Sequence, residues 1–171
     1  MRLPEPEKIE NGVSMRKQTT NSSSEAVSGS AHGWLDLERL VEIEITSQNA
    51  EHPIESALIP DRGSGWRAGQ SGKQTIRLIF DQPLALECIL LRFDEKEQER
   101  TQEFVLRWLP EGQQSLREIV RQQYNFSPST TNQEIEDYRV NLDGVSAVEL
   151  EIVPDISGGG AYASLAQMRL A

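Results

Sequence analysis

The run TIRLIFDQPLALECILLRF, residues 75–93, decides the fold. In its first part Ile76, Leu78 and Phe80 alternate with Thr75, Arg77 and Ile79, a period of two that puts one side-chain set on each face of a β-strand. In its second part, Leu84 to Phe93, nearly every residue is apolar, as expected of a central strand covered on both faces. Asp81-Gln82-Pro83 between them reads as a turn. Upstream, Val41, Ile43 and Ile45 alternate with Glu42, Glu44 and Thr46. Downstream, the pattern recurs in Phe104, Leu106 and Trp108, in Tyr138, Val140 and Leu142, in Val148, Leu150 and Ile152, and in a closing segment from Leu165 to Leu170. Pro110-Glu111-Gly112 and Ser157-Gly158-Gly159-Gly160 supply turn residues, and Asp143-Gly144 between two alternating runs predicts a hairpin. The acidic run within Asp94 to Gln102 reads as a solvated loop. No segment has the period of a long amphipathic helix, so the predicted fold is all-β, an antiparallel sandwich.

Residues 1–33 differ in kind. Ser22-Ser23-Ser24, Thr19-Thr20 and Ser28-Gly29-Ser30 carry isolated apolar residues at no regular period. Such a composition buries too little surface to offset the entropy of ordering it, which predicts a flexible tail before a domain over residues 34–171. The tail balances Arg2, Lys8, Arg16 and Lys17 against Glu5, Glu7, Glu10 and Glu25, so the net charge of −10 falls on residues 34–171.

That charge argues against nucleic acid and anionic membranes as partners. There is no run of about 18 apolar residues and no apolar signal-peptide core, so the expected location is cytoplasmic, with no membrane insertion. Enzyme signatures are missing as well. Two histidines, His32 and His52, and a single cysteine, Cys88, make no Cys/His zinc site, and Cys88 reads as a buried small hydrophobe. No GxSxG, GxGxxG or GxxxxGK[ST] motif occurs. The pairs Glu42/Glu44 and Glu149/Glu151 read as solvent-facing strand carboxylates, where nothing perturbs their acidity. The expectation is a protein that is not an enzyme.

Over about residues 40–171 the order of segments resembles the discoidin, or coagulation-factor C-terminal, family of galactose-binding-like jelly rolls. A first strand leads into a long aspartate-bearing loop, His52 to Asp61, and then into Arg62-Gly63-Ser64-Gly65-Trp66. The strand Thr75 to Phe80, the Asp81-Gln82-Pro83-Leu84 step, the Pro110-Glu111-Gly112 turn and the closing Ala163 to Leu170 follow in the family's order. Calcium-bearing members place a carboxylate in the last strand, where this chain has Gln167, and use the loop matched here by Asp61. Calcium takes about six to eight oxygens rich in carboxylate. Asp61 is therefore a weak calcium candidate, and neither a metal nor another cofactor is expected.

The resemblance implies a ligand at the loops of one end of the sandwich. A sugar needs planar hydrogen-bonding groups for its hydroxyls and a flat apolar surface for its C–H face. His52, Arg62 and Asn125 are the polar candidates, and Tyr124 or Tyr162 the platform. Duller roles compete: Trp66 and Trp108 as core, Phe126 as a strand anchor, and Arg62 as a partner of Asp61. The expected function is a non-catalytic module recognising a carbohydrate or glycoconjugate. The alternative is a protein-interaction module using the same loops or the tail.

Overall fold

The computed structural model describes residues 33–171. The tail expected over residues 1–33, and His32 with it, lies outside the described residues except for Gly33. Among the described residues two single-turn helices, α1 (Leu37–Leu40) and α2 (Glu55–Leu58), accompany eight strands. These are β1 (Val41–Ile45), β2 (Trp66–Arg67), β3 (Gln74–Asp94), β4 (Arg100–Pro110), β5 (Arg117–Phe126), β6 (Gln133–Val153), β7 (Ser164–Leu165) and β8 (Gln167–Leu170). Among the described residues no helix is long and apolar enough to cross a membrane.

β3 and β6 each run through both layers of an all-β sandwich. In one layer the order is β1-β3-β6-β4-β5, with Val41 opposite Phe80, Leu78 opposite Val148 and Leu106 opposite Leu150. In the other, the far half of β3 lies between β8 and the near half of β6, with Ile89 opposite both Leu170 and Tyr138. All these pairings are antiparallel. The layers meet where Phe93 of the second stacks on Phe104 of the first at 5.2 Å, with Tyr138 edge-on to Phe104 at 6.5 Å.

Two turns expected from sequence are bends instead. β3 continues through Asp81-Gln82-Pro83, and its ladder to β6 shifts register between Ile79 and Leu84 and again before Cys88. Pro83, which has no N–H to donate, sits in that interruption. Opposite it, Asp143-Gly144 is no hairpin: β6 runs on through it, Gly144 takes φ +63°, and its carbonyl accepts from the Glu111 N–H at 2.7 Å. Residues that make tight turns also make bulges, and here they turn the sheet's corner.

The core follows the alternation. Ile76, Leu78, Ile89, Leu91 and Phe93 are buried along β3, with Phe104, Leu106, Val148, Leu150, Ile152, Met168 and Leu170 against them. The second half of β3 is not covered on both faces, for Ala85 is exposed and Leu84 and Leu90 are half-buried. Cys88 and Ile89 are buried in succession because the register shift falls just before them. Cys88 Sγ donates to Asp137 at 3.2 Å, and burial together with that carboxylate pushes its thiol pKa up to about 11. Trp66 is core, at 1 % exposure, and Phe126 is buried at the end of β5. Trp108 packs against the core but is only half-buried, with the Arg117 guanidinium over its ring, 5.8 Å from the ring centre.

Glu42 and Glu44 face solvent as expected, but Glu149 does not. It is buried between Arg77, whose Nε donates at 3.0 Å, and Arg107, whose Nη1 donates at 3.1 Å. The segment Asp94 to Gln102 also departs from expectation. Arg100 already belongs to β4, and Gln102 is fully buried.

Candidate functional site

A cavity of about 420 Å³ opens between the loop after β1, the short β2–β7 ladder and the far end of β3. The β1 loop is pinned from both sides. The Trp66 indole donates to the Ser47 carbonyl at 3.2 Å, and the Gln48 side chain accepts from the Ile54 N–H at 3.0 Å. The Arg67 N–H donates to the His52 carbonyl at 3.1 Å. His52 therefore sits beside β2, with its Nδ1 3.1 Å from the Ser64 hydroxyl.

β2 exists because Gly65 lets it approach β7. At φ +97° a Cβ there would lie 2.6 Å from the Leu165 carbonyl oxygen and 2.8 Å from Ala166 Cα, so no larger residue fits. With Trp66 opposite Leu165 and Arg67 opposite Ser164, strand alternation sends Trp66 into the core and leaves Arg67 exposed at the cavity. The Arg67 guanidinium lies over the Tyr162 ring, 5.7 Å from its centre, and Tyr162 is 42 % exposed.

The opposite wall is Arg92, Asp94 and the connection after them. Arg92 reaches Asp94 at 3.4 Å, while its buried Nε has no hydrogen-bond acceptor among the described residues. Asp94 also accepts from the Gln133 amide at 2.9 Å. Glu95 ties the connection together, accepting from the Glu97 and Gln98 N–H groups at 2.9 and 3.2 Å and from Arg100 Nε at 2.7 Å. Burial works against its ionised form, but these donors outweigh it and hold its pKa below the ordinary carboxylate value.

Of the residues picked from sequence, the structure brings His52 and Tyr162 together in this cavity. Arg62 lies outside it, exposed, and pairs with Glu38 of α1 at 3.5 Å rather than with Asp61. Asn125 lines a separate cleft of about 410 Å³ with Arg100, Asp155 and Ser157, its side-chain oxygen accepting from the Thr101 hydroxyl at 2.7 Å. Hydrogen bonds from Ser157 hold the Asp155 carboxyl below its ordinary pKa. Tyr124 is half-buried, edge-on to Phe126 at 5.0 Å, with its hydroxyl donating to the Gln133 carbonyl at 2.8 Å. Arg67, Arg92 and Lys96 escaped the sequence reading. Only the alternation that buries Trp66 pointed outward at Arg67.

The donors near Asp61 do not fit a calcium ion. The buried Arg169 guanidinium already occupies this loop, donating to the Leu58 carbonyl at 2.7 Å and to the Met168 carbonyl at 3.2 Å. Burial pulls its pKa down while the nearby Asp61 charge opposes that. Among the described residues no three His, Cys, Asp or Glu side chains gather as metal ligands.

No family model matches the chain, and no curated protein matches it. Solved structures do. A family 32 carbohydrate-binding module from NanJ of Clostridium perfringens, in complex with galactose, superposes with a TM-score of 0.58 at 11% identity, over 80% of this chain and 96% of that one. The family 32 module of AlyQ, in complex with 4,5-unsaturated mannuronic acid, gives 0.57 at 14% identity, covering 82% and 98%. An F5/8 type C domain from Bacteroides fragilis gives 0.55 at 13% identity, covering 81% and 94%. The fold is discoidin-like. In this discoidin-like domain the cavity combines N–H donors, from His52, Arg67, Arg92 and Lys96, with one exposed aromatic ring. Such a set can hold hydroxyl and carboxylate oxygens while covering an apolar ring face.

Proposed function

We propose that this discoidin-like domain is a non-catalytic module that binds carbohydrate in the cavity between β2–β7 and the end of β3. The observation that carries this reading is the pairing of Tyr162 with Arg67 beside His52, a ring platform flanked by planar donors in one cavity of about 420 Å³. Similar solved structures hold galactose and an unsaturated mannuronic acid, which supports the ligand class. Arg62, Tyr124 and Asn125 lie outside this cavity and have no part in the proposed site.

No catalytic pair is proposed. The carboxylates Asp94 and Glu95 on the cavity wall are both held by donors of the protein itself. Binding is weak, because a few hydrogen bonds and one covered ring must outweigh the loss of contacts with water.

Calorimetric titration of the chain with a saccharide panel tests the proposal. We expect saturable binding that Tyr162→Ala weakens at least about tenfold, the effect of losing roughly 1.4 kcal/mol. Its melting temperature should stay within about 2 °C of the unaltered chain, since exposed side chains contribute little to stability. Silence toward every saccharide would overturn the reading and favour a protein partner.

A further inference from the structure

Resting on the carbohydrate reading above, we propose that the cavity selects sugars bearing a carboxylate. Acids outnumber bases in this chain, 27 to 17, so its cations readily find acidic partners. Arg62 has Glu38, Arg77 and Arg107 share Glu149, and Arg100 has Glu95. Arg67 and Lys96 have no carboxylate partner among the described residues, and both line the cavity. The Arg67 guanidinium lies over the Tyr162 ring, 5.7 Å from its centre, exposed at the cavity. That planar fork matches a carboxylate through two parallel hydrogen bonds.

Arg92 also lines the cavity, with its Nη2 3.4 Å from Asp94. The acidic wall does little to cancel this charge. Asp94 is engaged by Arg92 and Gln133, and Glu95 by Arg100. Among the described residues Glu97 alone of the lining carboxylates has no side-chain partner, so Arg67 and Lys96 outnumber it. A neutral sugar would leave this surplus of cations unanswered, whereas one uronate meets it.

The test is calorimetric titration of the full chain with trimers of galacturonate, mannuronate and glucuronate, each against the neutral trimer of the same linkage. At least one acidic trimer should bind about tenfold or more tightly than its neutral counterpart at low salt. Raising sodium chloride from about 50 to 500 mM should shrink that ratio, because partly exposed charge pairs are screened. Arg67→Gln and Lys96→Gln should each cut the acid-over-neutral ratio severalfold. Equal or tighter binding of the neutral trimers, or a ratio indifferent to salt, overturns the inference and leaves the carbohydrate reading standing. If no trimer of either kind binds, the inference falls, and the full saccharide panel decides the carbohydrate reading separately.

Discussion

Arg169 shows how one side chain can settle a loop's chemistry. Its guanidinium is buried against the Leu58 carbonyl and near Asp61, bringing positive charge to a place where backbone oxygens and a carboxylate converge. A second cation there would face electrostatic repulsion. Calcium or a chelator should therefore leave the melting temperature unchanged, whereas a ligand binding only the folded form would raise it. Arg169→Met should cost about 1–3 kcal/mol in urea denaturation, the range for stranding a buried acceptor. Glu134 is a different case. It is buried on β6, reached by the Gln102 amide at 3.4 Å, and burial with the neighbouring Glu136 charge raises its pKa to about 8. The unfolded chain gives up this proton near pH 4–5 while the folded protein keeps it, so the folded state binds more protons across that interval. Stability contributed here is fully present at acid pH and falls as pH rises toward 8. Glu134→Gln keeps a neutral side chain at every pH. Its melting temperature relative to the unaltered chain should rise by about 3 °C or more between pH 5.5 and 8.5, and parallel pH curves would refute this account.

At the scale of elements, the corner where β3 and β6 bend together is the feature most open to test. A Cβ at Gly144 would meet only ordinary contact, with Glu111 Cβ at 3.5 Å, so the cost of substitution is conformational. Gly144→Val should lose about 1–2 kcal/mol in urea denaturation, the cost of forcing a branched residue to φ +63°. The same corner shows where sequence reading stops. Alternation in Val41–Ile45, Ile76–Phe80 and Val148–Ile152 made the strands legible because each has one face on the core. Pro83 and Gly144 marked breaks correctly, but composition does not distinguish a bulge that redirects a strand from a turn that ends it. Glu149 misled for a related reason. Its burial depends on Arg77 and Arg107 arriving from β3 and β4, and that juxtaposition is set by register between strands far apart in the chain. His52 and Tyr162 stood out as polar and aromatic residues in loops, whereas Arg67 and Arg92 were hidden inside strands. What brings these four side chains around one cavity is the pairing of β2 with β7 and the hydrogen bond from Ala166 to Arg92, at 2.8 Å.

For the molecule as a whole, the expected sandwich, its segment order and the buried Trp66 agree with the structure, because one packed core imposes one pattern on every strand. Apart from the β4–β5 hairpin, the pairings that build it are distant in sequence. β3 waits for β6, Leu78 for Val148, and its other flank waits for β8, Leu91 for Met168. The chain must therefore close long loops, at an entropic cost, before any layer gains its packing. Neither layer can form ahead of the other, because β3 and β6 belong to both. Folding is thus a late and collective event, on the order of milliseconds to seconds for such a topology. Without residues 167–170 the far half of β3 would present a bare edge, whose unpaired N–H and C=O groups invite pairing with another chain.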